Sequence, residues 1–392
     1  MEIPGKSRRT HALKPGDLAA IALAPGHPWP DLIREVWDAG AAVLPIDHRL
    51  PPAAVQRLLA AARPAAIFDG SWWPQFESRP AGDEAAVAVA TGGTTGGTTG
   101  EPKIAVLSHR AVEAAVRTSA ARLGAGPDDS WLACLPFGHI GGLLVVLRAV
   151  ILGAPVTIHP AFDPAALAAA NASYTSLVPA MLARLLDAGA DLSRFDAILL
   201  GGQATPAPLR ERAEAAGARI VETYGQTESC GGVVYDGVPL DGTEMRLADG
   251  DMIELRGPTV MRGYLGAGGQ PFTVDGWLRT GDAGVIEQGR LIRAERAGDV
   301  IVSGGEKIYP SQVEDVLIRH PEIADAVVAA RPDPAFGSKV VAFIVCPDAV
   351  LSLEEVRDFV AAHLPRYAAP REVIVVPEVP RTPGGKIRRH LL

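Results

Sequence analysis

The run Thr91–Lys103, TGGTTGGTTGEPK, gathers glycines, threonine hydroxyls and one lysine into a single short stretch. Glycines let backbone N–H groups approach an oligophosphate closely, threonine hydroxyls add donors, and lysine adds positive charge. The run is not a Walker A loop, because no Lys-Ser or Lys-Thr follows its glycines. No GxGxxG occurs, which counts against a dinucleotide-binding enzyme, and no GxSxG, which counts against a serine hydrolase. A low-complexity linker is the bland alternative, and the lysine and the preceding apolar strand argue against it. A second basic cluster, RTPGGKIRR at Arg381–Arg389, lies in a tail rich in glycine and proline that should begin as a loop. Cys134, Cys230 and Cys346 are sparse and lack CxxC spacing, so neither a disulfide framework nor a zinc site is expected.

The elements that must hold these residues alternate. Short apolar runs (Ala19–Leu23, Ala41–Pro45, Ala65–Phe68, Ala85–Ala90, Thr175–Leu177, Ile198–Leu200, Ile220–Thr223) read as strands. Arg110–Leu123, Pro179–Leu186 and Pro206–Ala216 have helical periodicity. Such alternation predicts an α/β architecture with a largely parallel sheet. From Gly231 to Leu291, Gly, Pro and Asp punctuate short strands such as Asp251–Arg256, so this part should be β-rich. A boundary is expected near Arg296–Asp299, followed by a self-contained α+β segment. Two helix starts there read as capping boxes, Ser311 with Glu314 and Ser352 with Glu355. The apolar stretch Gly141–Ile158 is broken by Arg148 and Pro155, and reads as a buried helix and strand.

The chain has 392 residues, too many for one compact core. With 48% hydrophobic and 21% charged residues it has the make-up of a folded globular enzyme. The net charge of −8 argues against a general affinity for nucleic acid or an anionic membrane. No apolar leader follows the basic N-terminus, and a cytoplasmic location is expected.

Beyond the glycine-threonine loop, further motifs follow in a characteristic order. They are LPFGHIGG (Leu135–Gly142), GGQ (Gly201–Gln203), YGQTE (Tyr224–Glu228), TGD (Thr280–Asp282), SGGEKIYP (Ser303–Pro310) and RTPGGKIRR. Together they resemble the adenylate-forming superfamily of acyl-CoA synthetases, nonribosomal adenylation domains and luciferases. The resemblance covers nearly the whole chain after about residue 85. It implies a large domain, 1–297, that binds ATP and an acyl acid, and a small mobile α+β domain, 298–392, hinged near Gly298. It implies ATP, Mg²⁺ and coenzyme A as cofactors. Phosphate and nucleotide contacts would come from Thr95, Gly96, Gly97, Thr98, Thr99, Gly100, Gly201, Gly202, Gln203, Tyr224 and Gly225. Asp282 and Arg296 would hold the ribose, and Ser303, Gly304 and Gly305 would border the pantetheine tunnel. Lys386, Thr227, Glu228 and Lys103 would act on the phosphates and the acyl carboxylate, with Glu228 and Thr98 at the metal. Three features depart from the family: TTGG at Thr94–Gly97 is repeated in its neighbours, Ile104 follows the loop lysine where glycine is usual, and the hinge position, often Asp, Lys or Ser, is Gly298.

Within the superfamily, the compact chain and the segments Glu222–Gly242 and His139–Arg148 resemble the o-succinylbenzoate–CoA ligases of menaquinone biosynthesis. That substrate has two carboxylates. Arg148, read as ending the pocket helix, is the candidate partner of the one not activated. His139, Ser229, Gly231 and Gly232 are candidate acyl-pocket residues. Two alternatives stay open: another aryl or acyl acid loaded onto CoA or a carrier protein, and a diverged non-catalytic nucleotide binder. Partners are expected to be the acid and CoA, with no nucleic acid and no membrane, and a homodimer is left open.

Overall fold

The computed structural model describes residues 13–74, 78–91, 102–266, 270–347, 350–381 and 387–392. The strands expected from apolar runs form two large sheets. One has the order Gly263–Tyr264, Ile104–Ser108, Ala85–Ala90, Ala42–Pro45, Leu18–Ile21, Ala66–Phe68, Trp72–Pro74. Its centre is parallel, and Ile104–Ser108 pairs antiparallel with Ala85–Ala90. The second has the order Val238–Pro239, Gly231–Tyr235, Ile220–Gln226, Ala197–Leu200, Tyr174–Leu177, Trp131–Ala133, Val156–Ile158, and is parallel except for the strands after Gln226.

Three helices join the sheets through one apolar cluster: Trp29–Asp38, His109–Leu123 and Ile140–Leu152. Their ends follow from local chemistry. Ser108 caps the second helix by accepting from the Ala111 N–H, and Gly124 closes it in the left-handed conformation. Being sandwiched between two sheets explains why Ile140–Leu152 is apolar almost all round.

The β-rich part is an antiparallel sheet of Glu244–Ala248, Met252–Arg256, Leu278–Glu287 and Arg290–Arg296. Beyond it, the hairpin Ile301–Ser303/Glu306–Ile308, the helices Pro310–Leu317 and Leu353–Ala361, and the sheet Asp325–Asp333, Gly337–Val345, Glu372–Val375 share an apolar cluster of their own. This C-terminal part rests on the rest of the chain through polar contacts. Lys307 Nζ donates to Asp251 at 2.6 Å, Arg293 donates to Ser311 Oγ at 2.6 Å, and Ser311 Oγ donates to Glu295 at 2.5 Å.

Ser352 and Glu355 form the expected capping box. Ser311 and Glu314 do not. The helix starts at Pro310 with Tyr309 as its N-cap, Ser311 turns outward to Arg293 and Glu295, and Glu314 is buried against Arg389. Pro310 supplies the reason, since its fixed φ suits the first helical position and moves the start two residues earlier.

Candidate active site

Most of the motif residues meet at the C-terminal ends of the parallel strands of the second sheet, where α/β folds place ligand groups. Gly201–Gln203 leaves the strand Ala197–Leu200, and Tyr224–Glu228 ends its neighbour Ile220–Gln226. At Gly225 the chain doubles back so tightly that a Cβ there would lie 2.0 Å from the Gly231 carbonyl oxygen, so only glycine fits. The turn Thr227–Ser229 follows, with Cys230 in the left-handed region, and Gly231–Tyr235 returns antiparallel. Ser229 is fully buried, and its hydroxyl accepts from the Gln226 N–H and lies within hydrogen-bond reach of the Gln226 and Gly231 carbonyls.

Tyr224 reaches across to the antiparallel sheet. Its hydroxyl donates to Asp282 Oδ2 at 3.0 Å. Asp282 and Arg296 face each other across paired strands, with Arg296 Nη1 3.2 Å from Asp282 Oδ1. The three residues thereby join two sheets at one point. Burial and then the Asp282 charge push the Tyr224 phenol well above its ordinary range, so it stays a donor.

Glu228 is buried, and its Oε1 accepts from the Tyr264 hydroxyl at 2.7 Å. Its other oxygen accepts no hydrogen bond among the described residues. Lys103 Nζ lies 5.3 Å from the centre of the Tyr264 ring, which draws the lysine, the tyrosine and the carboxylate into one group. Burial and the bond to Glu228 raise the Tyr264 phenol above its ordinary range. One oriented carboxylate with an oxygen to spare is the donor set Mg²⁺ takes when substrate phosphates and water complete its shell, so the residues fit that ion. Tyr264 was not singled out from the sequence; only its fold position, on the strand beside Ile104–Ser108, reveals it.

Thr95, Gly96, Gly97, Thr98, Thr99, Gly100 and Lys386 lie outside the described residues. The ends of the phosphate loop are described: Thr91 N–H donates to the Lys103 carbonyl at 2.9 Å, and the strands on either side pair. Ile104, in place of the usual glycine, is the buried first residue of its strand, opposite Ala90. Ser303, Gly304 and Gly305 form the tip of the C-terminal hairpin, and Gly304 N–H donates to the Phe336 carbonyl at 3.0 Å. Thr227 is part-exposed at the start of its turn.

The residues expected on the acyl side lie on and against the helix Ile140–Leu152. His139 is its N-cap, and the Ile140–Leu144 face packs against Gly231. Gly232 packs against Thr223 and Tyr235. One turn beyond Leu144 comes Arg148. It was read as ending the helix, but the helix runs on to Leu152, and the side chain is buried rather than reaching for solvent. The reason is its neighbours. The guanidinium lies 4.1 Å from the centre of the Trp131 ring, and Nη2 donates to Ser119 Oγ at 2.8 Å. Ser119 Oγ is itself 2.7 Å from the Tyr235 hydroxyl. Arg148 Nε and Nη1, and Trp131 Nε1, are buried donors with no hydrogen-bond partner among the described residues. Burial lowers the affinity of the guanidinium for its proton, an effect partly offset by Tyr235 and Cys230.

Tyr224, Asp282, Arg296, Glu228 and Lys103 gather polar groups at the strand ends, beside an apolar helix face. The model of the AMP-binding enzyme family matches residues 71–265, and that of the AMP-binding enzyme C-terminal domain matches 312–386. The chain belongs to the AMP-binding enzyme family. It is 41% identical over 330 residues to a protein of Mycobacterium tuberculosis named probable 2-succinylbenzoate–CoA ligase, covering 79% of this chain and 84% of that one. It is 34% identical to the 2-succinylbenzoate–CoA ligase of Bacillus cytotoxicus, covering 79% of this chain and 70% of the relative. The o-succinylbenzoate CoA synthetase of Bacillus subtilis, solved with its acyl-adenylate intermediate, is structurally similar with a TM-score of 0.81 at 27% identity, over 97% of this chain and 88% of that one.

Proposed function

We propose that this chain is a 2-succinylbenzoate–CoA ligase that works through an acyl-adenylate. The acid's carboxylate oxygen attacks the α-phosphorus of ATP, and pyrophosphate leaves. The thiol sulfur of CoA then attacks the acyl carbon, and AMP leaves. Both steps depend on positioning and charge stabilisation. Asp282 accepts from the ribose hydroxyls while Tyr224 and Arg296 hold its carboxylate in place. Mg²⁺ at Glu228 supplies charge neutralisation for the phosphates. Lys103 borders the β- and γ-phosphates, and Thr227 donates to the α-phosphate. Lys386 reaches the α-phosphate when residues 298–392 close on residues 1–297, and a later swing about Gly298 brings Ser303–Gly305 to the pantetheine. Among the described residues, no atom beyond its chain neighbours lies within 4 Å of where a Cβ on Gly298 would sit.

The choice of acid rests on Arg148. A buried guanidinium with two free donors and no carboxylate partner among the described residues is costly unless an anion from outside completes it. The second carboxylate of o-succinylbenzoate is such an anion, and the planar fork suits it.

The test is CoA-thioester formation with ATP, Mg²⁺ and a panel of o-succinylbenzoate, benzoate, salicylate and short fatty acids, for wild type and Arg148→Met. The wild type should prefer o-succinylbenzoate. The variant should lose about 30- to 4,000-fold of kcat/KM for that acid, the 2–5 kcal/mol range of a truncated buried charge contact, and far less for benzoate. An equal loss with every acid would remove Arg148 from substrate selection. A wild-type preference for another acid would leave the adenylating chemistry and overturn the choice of substrate.

A further inference from the structure

Residues 261–265 run between the strand Ile104–Ser108, which leaves the phosphate loop, and the turn that carries Glu228, and they bond to both. The Met261 N–H donates to the Glu228 carbonyl at 2.8 Å. The Arg262 N–H donates to the Val106 carbonyl and the Leu265 N–H to the Ile104 carbonyl, each at 2.8 Å, which sets Tyr264 opposite Ala105. The Tyr264 N–H donates to Gln270 Oε1 at 2.9 Å. A Cβ on Gly263, whose φ is +148°, would lie 2.5 Å from that oxygen, so backbone and bond together favour glycine there. Tyr264 is therefore fixed through its own N–H and through both of its flanks.

Its side chain joins the same two elements. The hydroxyl donates to Glu228 Oε1 at 2.7 Å, and the ring centre lies 5.3 Å from Lys103 Nζ. One short segment thus holds Glu228 at its carbonyl and at its carboxylate. The last torsion of a glutamate is soft, so burial alone leaves its two oxygens interchangeable. A single directed donor removes that freedom: one oxygen is engaged, and the other is left for a ligand.

We infer that Tyr264 is a positioning residue for Mg²⁺: its hydroxyl engages one oxygen of Glu228 and so presents the other to the cation, while its place beside Ile104–Ser108 ties that carboxylate to the lysine of the phosphate loop. Mg²⁺ demands near-ideal octahedral geometry and takes only one or two carboxylates. A carboxylate free to swing therefore binds it less well than one held by an outer donor. A hydroxyl that merely satisfied a buried carboxylate would matter equally whether or not the cation is present. This inference rests on the adenylating reading with Glu228 at the metal, and the experiment separates the two.

Binding of α,β-methylene-ATP, which cannot release pyrophosphate, is measured by calorimetry with and without Mg²⁺ for wild type, Tyr264→Phe, Glu228→Gln and the double variant. Tyr264→Phe keeps the ring beside Lys103 and removes only the hydroxyl. With Mg²⁺ it should weaken binding about 10- to 100-fold, the range for an outer partner of a metal ligand, and without Mg²⁺ less than about threefold. It should add almost nothing in the Glu228→Gln background. The Mg²⁺ concentration for half-maximal pyrophosphate release should rise in step. Equal weakening with and without Mg²⁺, or undiminished weakening in Glu228→Gln, would make the hydroxyl a structural group and overturn the inference. Wild-type binding that Mg²⁺ does not strengthen would instead remove Glu228 as the metal ligand, and no acyl-adenylate from the wild type would overturn the adenylating reading itself. Should Tyr264→Phe fail to fold, Mn²⁺ decides: with α,β-methylene-ATP it should broaden the NMR signals of an isotope-labelled wild-type Tyr264 ring, and much less so in Glu228→Gln, whereas signals left sharp in the wild type refute the inference.

Discussion

Two parts of the molecule bury charge in opposite ways. In the C-terminal part, Glu314 and Arg389 form a closed pair at 2.5 Å, and the Val328 backbone completes both partners, its N–H donating to Glu314 at 2.8 Å and its carbonyl accepting from Arg389 at 3.1 Å. In the large part, Arg148 is buried against an aromatic face and a serine hydroxyl, with two donors unfilled among the described residues. Completed pairs hold structure; an uncompleted buried cation is a standing cost that makes sense where a ligand supplies the anion. The contrast separates a structural charge from a recognition charge without reference to any motif.

The comparison breaks most visibly at Arg389. Removing it as Arg389→Met leaves Glu314 buried without its cation, which costs about 3–5 kcal/mol at pH 8. Burial already pushes the Glu314 carboxyl up to about 7 despite Arg389. Because the folded value lies above the unfolded one, its contribution to stability is complete below the unfolded carboxylate range and is lost as pH rises through about 7, a change of about 3 kcal/mol. At pH 5 the carboxyl is protonated, so the loss in Arg389→Met should shrink markedly. Urea unfolding at both pH values checks this, and an equal loss at both would mean that Glu314 is not the group left exposed to the change.

Arg148 should respond with the opposite sign. Arg148→Met removes an uncompensated buried cation and keeps most of the side-chain volume. It should raise stability by about 1–4 kcal/mol, the gain seen when buried charges give way to apolar groups. The same variant should be the one impaired with o-succinylbenzoate. A stability loss would make Arg148 a structural charge after all and would collapse the contrast.

These two regions were not equally legible in the sequence. The strands and helices followed from period and punctuation: Ala85–Ala90 ends where the apolar run ends, and His109–Leu123 starts one residue before the periodic segment. The nucleotide-side motifs were legible because each is local and lies at a strand end. Tyr264 and Ser119 were not, because what gives them a role is a partner far away in the chain. Tyr264 meets Glu228 across 36 positions and Ser119 meets Tyr235 across 116. Arg148 was legible as a residue but not as an environment. Its motif suggested a helix end, and only the packing of Trp131, Ser119 and Tyr235 around it shows a buried fork with donors to spare. Ser311–Glu314 failed for the converse reason: the local capping pattern was present, but Pro310 and the longer-range partners Glu295 and Arg389 took those side chains.

The finest test lies one bond away from the guanidinium. Ser119→Ala removes the acceptor of Arg148 Nη2 and the neighbour of the Tyr235 hydroxyl, at a cost of about 1.5 kcal/mol for a hydrogen bond to a charged group. If Ser119 merely fills space, that loss of stability is the whole effect, and every acid in the panel is used as before. If Ser119 sets the direction of the fork, KM for o-succinylbenzoate rises while KM for benzoate does not, and Ser119→Thr, which restores the hydroxyl, recovers much of the difference. The two outcomes distinguish a guanidinium held in place for its ligand from one that is only accommodated in the core.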